Sequence, residues 1–498
     1  MDNPLAGHVL LAQPRWRPED LGLPLPDSEH ATSVCLPTWA DVIDYERSAP
    51  RVLRRLQTGY PRFFVHPWNE RLFVECQRRF ADSDACCQVY PSRATAQRCL
   101  DSVRRWTGLE GRIVPWSDAG PFVICLPQEA ARAARKHWRH AGEGLGSRQA
   151  QALLQDQPPI PADEAKRAVR TQIAELTGIP REHVFLFASG MSAIYTIHRA
   201  IQRLFPGRKT VQFGFPYVDT LKLQQDLGCG AHFFPRPGPP AVQELEARLQ
   251  KEPAAAIYCE FPSNPLLVSP DLEALAAAAR RWQIPLVVDE TLGTYLNLDL
   301  RPVADVLITS LTKYFSGAGD VLAGAALINP AGTLADRLQT ALLQEYEDHL
   351  GGAEALLLAQ YAADFPQRMR RINRTAEQLC DFCSKHPAVE TVYYPPYSAA
   401  EPYRAFLRPG GGWGGLFSLL LKDAPHHAPR FYDALEISKG PNLGTLFSLA
   451  CPFTLLAHYE ELDWAADCGV PRDLVRISVG LEQPEDLQDR LARALDAC

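Results

Sequence analysis

Short apolar runs of strand length alternate with stretches of helical spacing through the middle of the chain. Val184-Phe-Leu-Phe-Ala leads into Ser189-Gly190-Met191, after which apolar residues recur at Ile194, Ile197, Ile201 and Leu204, three or four positions apart. Further runs are Thr210-Val-Gln-Phe, Ala254-Ala-Ala-Ile-Tyr-Cys-Glu-Phe, Leu286-Val-Val-Asp, Val306-Leu-Ile-Thr-Ser and Ala323-Gly-Ala-Ala-Leu-Ile, with helices expected over 223–227 and 271–282. Strands this continuously apolar are buried on both faces, so the pattern predicts an α/β domain: a mainly parallel central sheet with helices on both sides. Upstream, Ala165, Val169, Ile173 and Leu176 form one stripe of an amphipathic helix over residues 163–177.

The flanks read differently. Residues 1 to about 50 hold Pro14, Pro18, Pro24, Pro26, Pro37 and Pro50 and little periodicity, which suggests an extended arm lying over something else. From 69 to 178 helical stretches (75–79 and 94–106) mix with a strand-like run at 121–126. Beyond 332 a long helical region leads to a smaller α+β C-terminal domain. Strands are expected there at 391–394, 410–421 and 474–481, with a closing helix over 484–495. The expected division is 1–160 for the arm and an inserted region, 161–365 for the large domain and 366–498 for the small domain.

Composition narrows the function classes. A chain of 498 residues that is 46% hydrophobic and 22% charged folds, and its net charge of −7 without a long basic run argues against nucleic acid as a partner. The 13 cysteines are odd in number and mostly scattered. Cys380-Asp-Phe-Cys383 has the spacing of a redox or zinc motif but falls in a helical stretch without a second pair, so two core-facing thiols are expected and no metal site. A signal-peptide pattern and an apolar run of about 18 residues are both lacking, and a cytoplasmic protein is expected.

In parallel α/β sheets ligands sit beyond the carboxyl ends of the strands. Ser189, Asn264, Asp289 and Ser310 all follow strand-like runs. Lys313, in Ser310-Leu-Thr312-Lys313 before the turn glycines Gly317 and Gly319, could by itself be a solvated loop residue. In this company it can form an imine with a carbonyl cofactor while neighbouring hydroxyls bind a phosphate. Asp289 would pair with a pyridinium nitrogen. Ser189 and the amides of Gly190 and Met191, at a helix start, would receive an anion. Tyr217 follows a strand and could stack on a ring or simply cap the next helix.

These pieces resemble the Cys/Met-metabolism branch of fold type I pyridoxal-phosphate enzymes, which includes cystathionine gamma-synthase. The resemblance runs from about 165 to 490 through Ser189-Gly-Met-Ser-Ala-Ile, Glu260-Phe-Pro-Ser-Asn-Pro, Val288-Asp-Glu-Thr, Ser310-Leu-Thr-Lys-Tyr and Arg476-Ile-Ser-Val-Gly-Leu-Glu. It implies pyridoxal 5'-phosphate as cofactor and Lys313 as the Schiff-base lysine, with Tyr217 as a second acid/base that also stacks on the ring. Ser189, Gly190, Met191, Ser310 and Thr312 would cradle the phosphate, while Asn264, Asp289 and Thr291 would serve the ring. Arg476 would clamp a substrate α-carboxylate. Tyr60 and Arg62 resemble a Tyr-x-Arg pair that reaches a neighbouring subunit's phosphate, which implies a homodimer or homotetramer with shared active sites. Asn442 stands where the family carries serine, and Lys222 lies near a position used for a distal carboxylate or is a surface lysine. The long separation of Arg62 from Ser189 resembles a fungal-type branch. The implied reaction is γ-replacement on an O-acyl-homoserine with cysteine or a related nucleophile. A γ-lyase, an O-acylhomoserine sulfhydrylase and a non-catalytic cofactor-binding regulator are the alternatives.

Overall fold

The structure is a computed structural model, and it describes residues 9–61, 63–81, 85–118 and 120–498. Seven strands form the central sheet: β4 (Val184–Phe187), β5 (Thr210–Phe213), β6 (Ala231–Phe234), β7 (Ile257–Glu260), β8 (Leu286–Asp289), β9 (Val306–Thr309) and β10 (Gly324–Ile328). Their order is β4-β10-β9-β8-β7-β5-β6, with β10 antiparallel to both neighbours and all other pairs parallel. β6 has no continuous apolar run and was not expected. It is an edge strand whose residues are all half-buried. A second sheet, of order β11-β12-β15-β14-β13, is built from β11 (Val389–Tyr393), β12 (Leu416–Leu421), β13 (Ser438–Lys439), β14 (Leu449–Pro452) and β15 (Val475–Ser478). The Phe365–Lys385 helix buries Cys380 and Cys383, three residues apart on one face.

The region between the arm and the large domain has its own architecture. β1 (Ala85–Tyr90), β2 (Arg112–Pro115) and β3 (Phe122–Pro127) form an antiparallel sheet of order β1-β3-β2. The Pro67–Phe80, Arg93–Thr107 and Ala131–Ala141 helices cover it. Tyr90, Cys99, Ile124, Leu126 and Trp138 make one core and Leu72, Cys76, Val89 and Val123 another. This unit is tied to the large domain by a buried ionic cluster. Glu143 accepts from Arg98 (2.7 Å) and from Arg199 (2.8 Å), which in turn reaches Glu345 at 3.1 Å. Burial alone would raise the Glu143 pKa, but Arg199 and Arg98 outweigh it and hold the carboxyl down at about 2.

The arm includes the Trp39–Glu46 helix, so it is not extended throughout, and it is pinned to both the small and the large domain. The Leu36 amide donates to the Lys439 carbonyl (2.9 Å) and the Trp39 amide to Asp433 Oδ1 (2.7 Å) in the small domain. Thr32 donates through both its amide (2.8 Å) and its hydroxyl (2.7 Å) to the Gly319 carbonyl in the large domain. Gly319 has φ +79°, a conformation that glycine adopts without strain.

Candidate active site

At one end of a deep cleft lies the start of the Gly190–Leu204 helix. Ser189 caps it: its hydroxyl oxygen accepts from the Ser192 amide (3.0 Å) and its hydroxyl donates to the Gly142 carbonyl (3.0 Å). The first amides of such a helix have no partners within it and present positive charge to the cleft. Ser310, just past β9, comes so close that a Cβ on Gly190 would stand 3.0 Å from the Ser310 Cβ. Thr312 spends its hydroxyl locally, donating to the Ala323 carbonyl (3.2 Å) and accepting from the Ala323 amide (3.1 Å).

Two carboxyl groups occupy the floor. β7 and β8 are in register at Glu260 and Asp289, so parallel strand ends place the acids side by side. Thr291 orients Asp289 through its amide (2.9 Å), and its hydroxyl oxygen accepts from the Ser310 amide (2.8 Å). Glu260 accepts from the amides of Tyr217 and of Asn264 (3.0 Å). Burial and then the charge of Asp289 push Glu260 up to about 8, while burial raises Asp289 against the pull of its bonds from Thr291. Burial thus disfavours the charged form of both acids, and an anion on either one disfavours an anion on the other.

Above the floor stands Lys313, buried at 7% exposure. Its ammonium donates to the Tyr60 hydroxyl (2.9 Å) and to Asn442 Oδ1, and lies 4.5 Å from the centre of the Tyr60 ring. Arg476, on β15, donates to Asn264 Oδ1 (3.0 Å) and to the Asn442 carbonyl (2.9 Å), which aims its guanidinium along the cleft. Phe453 packs against the guanidinium at 4.8 Å. The cleft encloses about 1220 Å³ of atom-free space, its open mouth included.

Of the residues singled out in the sequence, all the described ones except Lys222 border this one cleft. Lys222 pairs with Glu461 at 2.9 Å and does not line it. Arg62 lies outside the described residues. Tyr217 borders the cleft, with its hydroxyl donating to Asp219 Oδ2 at 3.2 Å. Tyr60 meets Lys313 of its own chain. Three contributors were given no role. Glu260 was quoted without a role, though a carboxylate at a strand end beside Asp289 was a readable signal. Thr32 bonds Asn442 from the arm, and Glu46, at the end of the Trp39–Glu46 helix, lines the cleft beside Tyr45. Burial pushes Glu46 up to about 8, against the pull of Arg139.

Comparison with known proteins places this geometry. Residues 163–496 match the Cys/Met metabolism PLP-dependent enzyme family, and 69–146 match the N-terminal domain of fungal trans-sulfuration enzymes. The chain is 32% identical to a cystathionine gamma-synthase of Neurospora crassa, covering 96% of this chain and 98% of that one. It is 33% identical to an L-2-amino-4-chloropent-4-enoate dechlorinase/desaturase of Streptantibioticus cattleyicolor, over 95% and 97% of the two chains. A solved cystathionine gamma synthase of Xanthomonas oryzae pv. oryzae has the same fold, with a TM-score of 0.60 over 68% of this chain and 86% of that one at 24% identity. A deep cleft at the strand ends, a buried lysine over an aspartate and a capped helix start thus lie within the matched stretch, and the chain belongs to the Cys/Met metabolism PLP-dependent enzymes.

Proposed function

We propose that this enzyme performs γ-replacement on an activated homoserine, such as an O-acyl-homoserine, with cysteine or a related thiol as nucleophile. The observation that carries the reading is the convergence of Lys313, Asp289 and Arg476 on one cleft, in a chain whose full-length relatives include a named cystathionine gamma-synthase. The family's cofactor fits the residues present. Gly190 lets the helix start approach Ser310 where a side chain would crowd it, leaving backbone amides and hydroxyls for a phosphate. Asp289 is a carboxyl bordering the cleft whose charged form burial disfavours, and a protonated ring nitrogen is the compensating charge that would favour it. Ser189, Gly190, Met191, Ser310 and Thr312 would hold the phosphate; Asn264, Asp289, Thr291 and Tyr217 would hold the ring.

When bound, the cofactor supplies an electron sink conjugated to the substrate Cα. Arg476 would grip the substrate carboxylate with its planar guanidinium, already oriented by Asn264 and the Asn442 carbonyl. Lys313 would take the proton from Cα and assist removal of one from Cβ, with Tyr60 and Asn442 keeping its nitrogen over the floor between steps. Tyr217, turned toward Asp219, is the reserve acid/base. Loss of the γ-substituent then leaves Cγ open to a thiol. The family expectation of a homodimer or homotetramer stands as part of this reading, with Tyr60 serving its own chain.

The bacterial relative named as a dechlorinase/desaturase favours a second reading, in which the γ-substituent leaves and no nucleophile enters. Incubation with O-acetyl-, O-succinyl- and O-phosphohomoserine, with and without cysteine, separates the two by mass. A thioether that forms only with cysteine is expected. A ketoacid formed regardless of cysteine would establish a lyase instead.

A further inference from the structure

We infer that Thr32, in the N-terminal arm, is a positioning residue that decides which end of the Asn442 amide faces Lys313. The inference rests on Lys313 being the reactive lysine of the proposed reaction. An asparagine amide has an oxygen that accepts and a nitrogen that donates, in nearly the same shape. With its oxygen toward Lys313 it receives the ammonium; turned over, it would set two donors against each other. A neutral amine at Lys313, able to donate or to accept, would not by itself select the first orientation.

Thr32 does select it. Its side chain is buried at 2% exposure, and its hydroxyl hydrogen is committed to the Gly319 carbonyl at 2.7 Å. What remains toward Asn442 is a lone pair, and Asn442 Nδ2 donates to it at 2.9 Å. The nitrogen of the amide is thereby held on the arm side and the oxygen on the lysine side. The Thr32 amide donates to the same Gly319 carbonyl (2.8 Å), so the residue is held at two points and the hydroxyl has a single direction. Asn442 itself has φ +143°, outside the comfortable range of a residue with a side chain, so the backbone there is held by its surroundings and not by preference. Its carbonyl serves Arg476 independently of the amide. The chain of contacts Gly319, Thr32, Asn442, Lys313 runs from the turn after the reactive lysine back to that lysine through the arm.

The test uses the full-length, cofactor-loaded enzyme. Thr32→Val keeps the shape and removes both hydrogen bonds; Thr32→Ser keeps the hydroxyl. In Thr32→Val the pH midpoint of the bound cofactor's visible absorbance change should move to lower pH by at least about half a unit, because the positive form loses its acceptor. Tyr60, Tyr217, Glu260, Asp289 and Arg476 are the same in every variant. Turnover should fall about tenfold while KM for the amino acid changes less than about twofold, since Arg476 is held by the Asn442 backbone. Thr32→Ser should restore both, and Thr32→Val should add nothing in an Asn442→Ala background. Should the valine variant misfold, Thr32→Ala carries the same expectations. A wild-type midpoint in Thr32→Val beside a shifted Asn442→Ala overturns the inference, as do fully additive effects of the two substitutions. A Lys313→Ala enzyme that keeps the wild-type absorbance overturns the lysine assignment instead, a separate failure.

Discussion

The two sides of the cleft are made in different ways. The floor and the helix-start end come from turns that follow β4, β7, β8 and β9, with local hydrogen bonds such as Thr291 to Asp289. The side toward the arm holds Thr32, Tyr45, Glu46 and Tyr60, which share no turn and no short motif. Strand ends in a parallel sheet converge by geometry, so a side that uses them can be rebuilt on any sequence that keeps the turns. The arm side depends on one long path whose middle, from Ala31 to Leu36, is buried, and it brings its residues to Lys313 only if that path is kept.

Substitutions on the two sides should therefore fail differently. Lys313→Ala should cost at least about a thousandfold in turnover and abolish the cofactor's lysine-dependent absorbance, measured by stopped assay and spectrum. Tyr60→Phe removes a hydrogen bond to a charged group and should lower turnover about ten- to a hundredfold. Its sharper use is in mixtures: Lys313→Ala and Tyr60→Phe chains purified together as mixed oligomers should stay at the level of the two variants. Recovery of about a quarter of wild-type activity would mean that Tyr60 serves a neighbour's lysine and that the arm crosses between subunits. Gly190→Ala should weaken cofactor binding about tenfold, read by titration of the cofactor-free protein, because the new Cβ presses on Ser310.

The smallest effect concerns Glu46. Its folded pKa of about 8 lies above the ordinary 4.5, so between those values the folded chain keeps a proton that the unfolded chain has lost. Its contribution is present in full below about pH 4.5 and is lost as pH rises through 8. Glu46→Gln should flatten that loss by on the order of 1–2 kcal/mol, seen as thermal midpoints that fall less steeply from pH 5 to 8. Equal slopes in the two proteins would place the group in water.

The contrast also explains what could be read from the residues alone. Lys313, Asp289, Ser189 and Asn264 were legible because each follows an apolar run at the place where a strand must end. Arg476 is on a strand and was found through resemblance. Thr32 and Glu46 were invisible because a threonine in a proline-rich stretch and a glutamate at a helix end have no local mark. Their roles arise from contacts with Asn442, which is 410 positions away, and with a cleft formed by distant segments. Lys222 pairs with Glu461, a contact that nothing near it in sequence announces. Tyr60 was placed in this cleft through resemblance, since no local pattern records where a connection crosses.

The cluster around Glu143 bears on how this protein can change over generations. The N-terminal unit has its own sheet and cores, which makes it look like a cassette that lineages could gain or discard. Yet Arg199 and Ser189, on the Gly190–Leu204 helix and its cap, donate to Glu143 and to the Gly142 carbonyl of that unit. Deleting it would remove one of the two carboxylates that Arg199 bonds, leaving Glu345, and would loosen the cap at the same stroke. A shortened chain should therefore need compensating changes at 189 and 199 to hold the start of this helix.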